Sequence, residues 1–326
     1  METLEIIRVN LLSPLVLAFV LGIIATLVKS DVEIPEPIYK FLSLYLLFSI
    51  GIRGGVELAT VSFAEFWLPA VVTMFMAVAI PTWSYLIVRS VGRMDVANAA
   101  AIAAHYGSVS SVTFVAAISL MESLNQPFEA YIPTLAALAE WGIIVGLFIA
   151  RWRMGTAGSI GDVVRDTLAG RSVILLMGGL VLGLIIGEDG YAPIAPVFTD
   201  LFRGFLTIFL LEMGMVAARQ LREFAKVGPF MVGFGTVMPV INGIVGITLG
   251  TFAGMSLGGA FILGCIAASA SYIDAPAAVR ATIPQANPSI YLTASLGITL
   301  PFNLIVGFPI YFAYTSWLHG LVNGGM

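Results

Sequence analysis

The 326-residue chain is 59% hydrophobic, carries only 10% charged residues and has a mean hydropathy of +0.99. A soluble domain holds about 25% charged residues, so this composition is that of a membrane protein. The formal net charge of −4 and the lack of a basic stripe argue against a nucleic-acid partner.

Residues ahead of the first apolar run include Glu2, Glu5 and Arg8, unlike a positive leader. The run itself, 11–29, is long enough to be read as a true span. Spans are then expected at 38–58, 66–88, 95–121 and 130–150 in the first half. A Gly-rich connector of mixed charge follows at 151–171. The second half holds spans at 172–187, 197–218, 228–252, 257–280 and 290–316. This predicts an all-α membrane protein of ten transmembrane helices, with repeats at 1–150 and 172–326. In the sixth span Gly179, Gly183 and Gly187 form a close-packing face.

Placing the 15 basic residues on the sides these loops imply leaves Arg8, Arg53 and Arg203 on one side and the other 12 opposite. The positive-inside rule makes the richer side cytoplasmic, with both termini outside and the 151–171 connector in the cytoplasm. Five spans per half, an odd number, would set two related halves upside down. Three short likenesses support such a 5+5 inverted repeat. Ile102-Ala103-Ala104 falls on Ile266-Ala267-Ala268, and Ile38-Tyr39-Lys40 with its run to Gly51 resembles Leu201-Phe202-Arg203 with its run to Gly214. Ile143-Ile144-Val145-Gly146 resembles Leu304-Ile305-Val306-Gly307.

The fourth and ninth spans break into small polar residues. One reads Gly107-Ser108-Val109-Ser110-Ser111-Val112-Thr113, the other Ala268-Ser269-Ala270-Ser271-Tyr272-Ile273-Asp274-Ala275-Pro276. A broken helix exposes N–H and C=O groups that hydrocarbon cannot satisfy, so each break must face protein, water or an ion. Half-helices starting near Ser110 and Asp274 would aim their N-termini at the midplane, and Pro276 suits a first turn because no N–H is needed there. Two such N-termini suit a small anion; carbonyls and hydroxyls suit a hard cation such as Na+. The plainer reading is that small residues only let helices touch.

Asp274 would ligate sodium, take up a proton or sit in a water-filled vestibule. Glu140 in the fifth span would ligate a cation, pair with His105, or stay protonated on a neighbouring helix; Asn303 falls at the equivalent place in the tenth. Glu212 is a vestibule residue or a ligand, and Arg53 and Arg280 default to snorkelling at span ends. Only two histidines and one cysteine, Cys265, occur, and neither a zinc spacing nor a phosphate loop is present.

These motifs carry a resemblance. Pro37-Ile38-Tyr39-Lys40-Phe41, Gly107-x-Val109-Ser110, Met213-Gly214-Met215, Ile266-Ala267-Ala268-Ser269-x-Ser271 and Arg280-Ala281-x-Ile283-Pro284-x-Ala286-Asn287-Pro288-Ser289 resemble the cyanobacterial sodium-dependent bicarbonate symporter family over effectively the whole chain. The resemblance implies a scaffold of spans 1, 2, 6 and 7 and a transport core of spans 3–5 and 8–10. Bicarbonate would bind where the broken fourth and ninth spans cross, with sodium beside it. It carries Gly107, Ser108, Val109, Ser110, Ser111 and Thr113 over from the first break, and Ala268, Ser269, Ser271 and Ala275 from the second. A homotrimer would fit the family, and a PII-like regulator is known in it. The sequence departs in two places: Tyr272 stands where the family has an aspartate after the serines, and the central connector is short.

The expectation is therefore an inner-membrane symporter of sodium and bicarbonate, not an enzyme, since no nucleophile–base pair is visible. The anion would contact Gly107, Ser108, Val109, Ser110, Ser111, Ala268, Ser269 and Ala275. Sodium would contact Ser110, Thr113, Glu140, Ser271, Asp274 and Asn303. A carrier of another small anion, such as a short monocarboxylate, and a proton-linked cation exchanger or channel remain the rivals.

Overall fold

The computed structural model describes residues 8, 11–59, 62–154, 161, 165, 169–221 and 224–324. Most of the connector expected at 151–171 lies outside them. The described residues form helices and contain no strand. Eight helices are long and apolar enough to cross a membrane, and Pro14–Leu27 and Leu257–Ala267 are shorter apolar helices.

Local signals set the helix starts. Ser13 accepts a hydrogen bond from the Val16 N–H and precedes Pro14, starting α1 (Pro14–Leu27). Helices α2 (Glu36–Leu58) and α3 (Phe63–Ser90) follow. Asp95 caps α4 (Val96–Tyr106) and Ser110 caps α5 (Ser111–Ser123), each by accepting the N–H three residues on. The fifth expected span is divided into α6 (Ile132–Ala139) and α7 (Gly142–Met154). In the second half come α8 (Arg171–Tyr191), a π-helical turn (Pro196–Asp200), α9 (Phe202–Leu221) and α10 (Phe224–Phe252). Ser256 caps α11 (Leu257–Ala267), and α12 (Ala275–Thr282) starts after Asp274. The last span opens with α13 (Pro288–Leu292), a π segment (Thr293–Thr299) and α14 (Leu300–Phe302). It continues through a second π segment (Asn303–Gly307) into α15 (Phe308–Gly324).

Glycine contacts hold α1, α2, α8 and α9 together. A methyl at Gly22 would meet the Leu211 carbonyl oxygen at 2.0 Å, and one at Gly55 would meet that of Leu180 at 2.2 Å. The face expected in α8 is real at Gly179 and Gly183, which rest on Gly51, Ile52 and Gly55 of α2. Gly187 does not belong to it: nothing lies within 4 Å, and its φ of +59° bends α8 as only glycine does readily.

A second group is formed by α3, α4 and α7 together with α10, α11 and α15. Its centre is the broken pair α4–α5. The most apolar stretch of Val96–Ser123 is 100% buried, whereas that of Val173–Tyr191 is only 22% buried. The first is therefore enclosed by protein, and the second presents its side chains outward to lipid. The two groups meet at an ion pair: Glu122 of α5 lies 2.9 Å from Arg53 of α2 and 3.6 Å from Arg203 of α9. Arg53 is thus held by a carboxylate and does not simply snorkel.

Candidate functional site

Both expected breaks are present, and they touch. Chain between α4 and α5 runs Gly107–Ser110; chain between α11 and α12 runs Ala268–Asp274. The Ser110 N–H donates to Ser269 Oγ at 2.9 Å, and the Ser271 N–H donates to the His105 carbonyl at 2.8 Å. The Ala275 N–H in turn donates to Ser271 Oγ at 3.4 Å. The N-termini of α5 and α12 are therefore both tied to the short segment Ser269–Ser271.

Helices α4 and α11 are each 11 residues long, and their caps, Asp95 and Ser256, lie 161 positions apart. Gly107 then corresponds to Ala268 and Ser108 to Ser269. Ile102-Ala103-Ala104 and Ile266-Ala267-Ala268, matched at 164 positions, stand three residues out of step when counted from those caps. That spacing applies only past the breaks, where Ser111 and Ala275 open their helices. The three extra residues lie in the second break.

The first break is pinned by Glu140. Its carboxylate accepts the Ser108 hydroxyl, and the Val109 N–H also hydrogen-bonds to it. The carboxyl is 2% exposed, so these donors replace water. The expected pairing of Glu140 with His105 is absent: His105 Nδ1 lies 2.7 Å from the Ala101 carbonyl. Beneath the break, Gly107 and Gly142 pack backbone on backbone. Thr113 donates its hydroxyl to Ser110 Oγ at 3.1 Å and its N–H at 3.2 Å. Val109 is buried and lines, with Gly107 and Ser108, a cavity of about 260 Å³ including its open mouth. Ser111 is buried at the first turn of α5.

On the other side, the Ala268 carbonyl accepts the Asn303 amide at 2.9 Å, and Asn303 Oδ1 accepts the Tyr311 hydroxyl at 2.8 Å. Asn303 opens the second π segment, where the local unwinding turns its amide onto the end of α11. Asp274 sits at the cap position of α12 without making a cap hydrogen bond. Its carboxyl lies within electrostatic reach of Glu140 and of Tyr39 of α2. Tyr272, read from sequence only as a departure, bonds Ser110 and reaches Met213 Sδ of α9 at 3.6 Å.

Sequence reasoning missed two features: the division of the fifth span at Glu140-Trp141 and the π segments of the tenth. Gly142, two positions after a buried acid, was the available signal for the first. Pro301, which lies between the two π segments and removes a backbone donor, was the available signal for the second.

Among the described residues no cluster of three or more His, Cys, Asp or Glu side chains forms a metal centre. The oxygen atoms gathered at the crossing are hydroxyls, carbonyls and two carboxylates, the donor set of a hard monovalent cation. A family model for the Na+-dependent bicarbonate transporter superfamily matches residues 14–316. The chain belongs to that superfamily. No curated protein matches it. Membership makes this a multi-pass membrane transporter and not an enzyme, with sodium and bicarbonate as the transported species its family implies. Sodium in such a family is co-transported, not a resident cofactor.

Proposed function

We propose that the protein takes up bicarbonate by symport with sodium across a bacterial inner membrane, with both termini outside the cytoplasm. The observation that carries this reading is the pair of hydrogen bonds, Ser110 to Ser269 and Ser271 to His105, that joins the two broken helices. Bicarbonate would lie at the N-termini of α5 and α12, against Gly107, Ser108, Val109, Ser110, Ser111, Ala268, Ser269 and Ala275. Sodium would sit beside it among Ser110, Thr113, Glu140, Ser271, Asp274 and Asn303. Sodium would offset the charges of Glu140 and Asp274 and complete the anion site.

Three observations support ten spans in two inverted repeats, 1–150 and 172–326. The packing of α8 on α2 and of α9 on α1 are equivalent pairs if the halves exchange. Arg93 and Gly254, 161 positions apart, both have positive φ two residues before a helix cap. Glu140 and Asn303 both stand where a span is interrupted. In an elevator-type cycle the second helix group, bearing the breaks, would slide along α1, α2, α8 and α9. The test is uptake of labelled bicarbonate into proteoliposomes with and without an inward sodium gradient. Sodium-independent uptake would refute the coupling.

A second reading is favoured by the electrostatic contact of Glu140 and Asp274: the two acids would share a proton in place of sodium. Asp274→Asn would then abolish a proton-driven flux that ignores bicarbonate.

A further inference from the structure

A cavity of about 580 Å³, open mouth included, lies between the two helix groups. Helices α1 and α9 wall it on one side; α5 and the last span wall it on the other. Packed interiors hold few spaces larger than a water molecule, and small-molecule pockets measure about 300–1,000 Å³. The lining is graded. Ser13 caps the start of α1, Ser123 ends α5 and Arg203 opens α9, so these three mark one end. Ser119 and Thr207 stand about one turn further in. Ala116 and Leu210, about two turns in, make the apolar depth with Leu304.

The polar end is narrower in chemistry than it looks. Thr207 and Ser123 donate their hydroxyls to carbonyls of their own helices, Arg203 and Leu120, each at 2.7 Å. Arg203 is the one charged residue of the lining. Its side chain is 55% exposed and lies 3.6 Å from Glu122, beyond hydrogen-bond reach, while Arg53 holds that carboxylate at 2.9 Å. The guanidinium therefore keeps donors for a second anion, and its fork matches a carboxylate. A hydrocarbon chain is as well surrounded in lipid as among Ala116, Leu210 and Leu304, so the arginine decides which amphiphile stays.

We propose that this cavity binds an anionic single-chain amphiphile, a medium-chain carboxylate, with its head on Arg203 and its chain in the apolar depth. A chain seated there touches α1 and α9 on one side and α5 and the last span on the other, and so locks the two groups against sliding. None of the lining belongs to Gly107–Ser110 or Ala268–Asp274. The ligand thus slows transport without occupying the crossing. The binding site stands whatever the crossing carries; its effect on rate rests on the uptake reading above.

The experiment titrates labelled decanoate onto the purified full chain in detergent, with decanol as competitor, for the wild type, Arg203→Gln and Ala116→Phe. The wild type should bind decanoate saturably and at least tenfold more tightly than decanol. Arg203→Gln should weaken decanoate at least tenfold and leave decanol within twofold. Ala116→Phe, which fills the depth, should weaken both at least tenfold. In proteoliposomes decanoate should lower the maximal rate of sodium-driven bicarbonate uptake at least fivefold with KM unchanged within twofold, and an equal membrane load of decanol should not. Binding that does not saturate, or that ignores both substitutions, overturns the inference. A rise in KM alone puts the carboxylate at the crossing and overturns it too. Saturable binding that leaves uptake unchanged overturns the lock, and a co-purified phospholipid that decanoate does not displace overturns the single-chain occupant. If Ala116→Phe does not fold, the contrast of decanoate with decanol in Arg203→Gln decides. If the wild type takes up no bicarbonate, the proposed function falls, and the binding titration alone decides this inference.

Discussion

The closest approach in the site is between two glycines, and it is the place to perturb first. An alanine methyl at Gly142 would stand 1.7 Å from the Gly107 carbonyl oxygen and 2.5 Å from its carbonyl carbon. Ordinary contact begins at 3.4 Å, so α7 and the first break must separate by about 1.7 Å, with only backbone to yield. Overpacking of this kind costs about 1–3 kcal/mol, offset in part by the roughly 1 kcal/mol by which alanine exceeds glycine in a helix. Transport suffers more than stability. Gly107 leads directly into Ser108, held by Glu140, and Ser110, held by Ser269. A misplacement near 1 Å lowers a rate by roughly 100-fold. Gly142→Ala should therefore reconstitute as a folded protein yet lose about 100-fold in kcat/KM for sodium-driven bicarbonate uptake. Gly178→Ala is the control: nothing lies within 4 Å of a methyl there, and transport should not change. Uptake by Gly142→Ala above half the wild-type rate would show that the packing of Gly107 on Gly142 does not set the site.

Glu140→Gln removes a charge from the crossing and leaves an amide facing two donors, so the sodium concentration for half-maximal uptake should rise at least tenfold; an unchanged sodium dependence would mark Glu140 as a purely structural acceptor. Glu122→Gln releases Arg53 and Arg203 together. Partly exposed pairs of this kind are worth about 1 kcal/mol or less, so thiol labelling of Ala116→Cys, on the α5 face that lines a cavity with Val16 of α1 and Arg203 of α9, in a chain whose sole cysteine is replaced, should speed up by about two- to fivefold; no change would show that the pair does not hold the helix groups together. Asp95→Ala should destabilise α4 by about 1 kcal/mol in thermal melts. Burial opposes the Asp95 charge, but hydrogen bonds from Asn98 and the backbone outweigh it and hold the carboxyl below its usual 3.8. This stabilisation is present above that value and fades as pH falls through the lower folded value. Wild type and Asp95→Ala melts should thus converge only in strong acid.

The breaks were legible because Gly107, Pro276 and the serines are what a helix interior excludes and a cap prefers. The same logic placed the starts of α5 and α12 within a residue. Glu140 was legible as a buried acid but not as the pin of the first break, because its partners Ser108 and Val109 come from another span. Register was the hardest quantity to read. Alanine-rich runs match one another at several offsets, and Ile102-Ala103-Ala104 matches at 164, not at the 161 counted from the helix caps. Only the helix lengths, fixed by Asp95 and Ser256 at one end and by Gly107 and Ala268 at the other, separate 161 from 164. Tyr272 was opaque for the same reason: an aromatic in a transmembrane run is ordinary until its hydroxyl is seen beside Ser110.

In the proposed symport, coupling would follow from how the crossing is tied. Ser110 caps α5 and, through its N–H, is bonded to Ser269; Ser271 accepts from the first turn of α12 and donates to the end of α4. Ser110 belongs to both proposed ion sites, and Ser269, proposed for the anion, and Ser271, proposed for sodium, share one short segment. A sodium ion drawing Ser110, Thr113 and Ser271 together would set the same N-termini that face the anion. Opposite charges about 4 Å apart attract by roughly 4 kcal/mol at an effective dielectric constant near 20, about a thousandfold in affinity. In the proposed cycle sodium offsets the negative charge that Glu140 and Asp274 would bring to this segment, and the loaded segment attracts bicarbonate. In the proposed symport, sodium dependence requires no separate gate, only that Ser110 serve both ions and that Ser269 and Ser271 move as one segment.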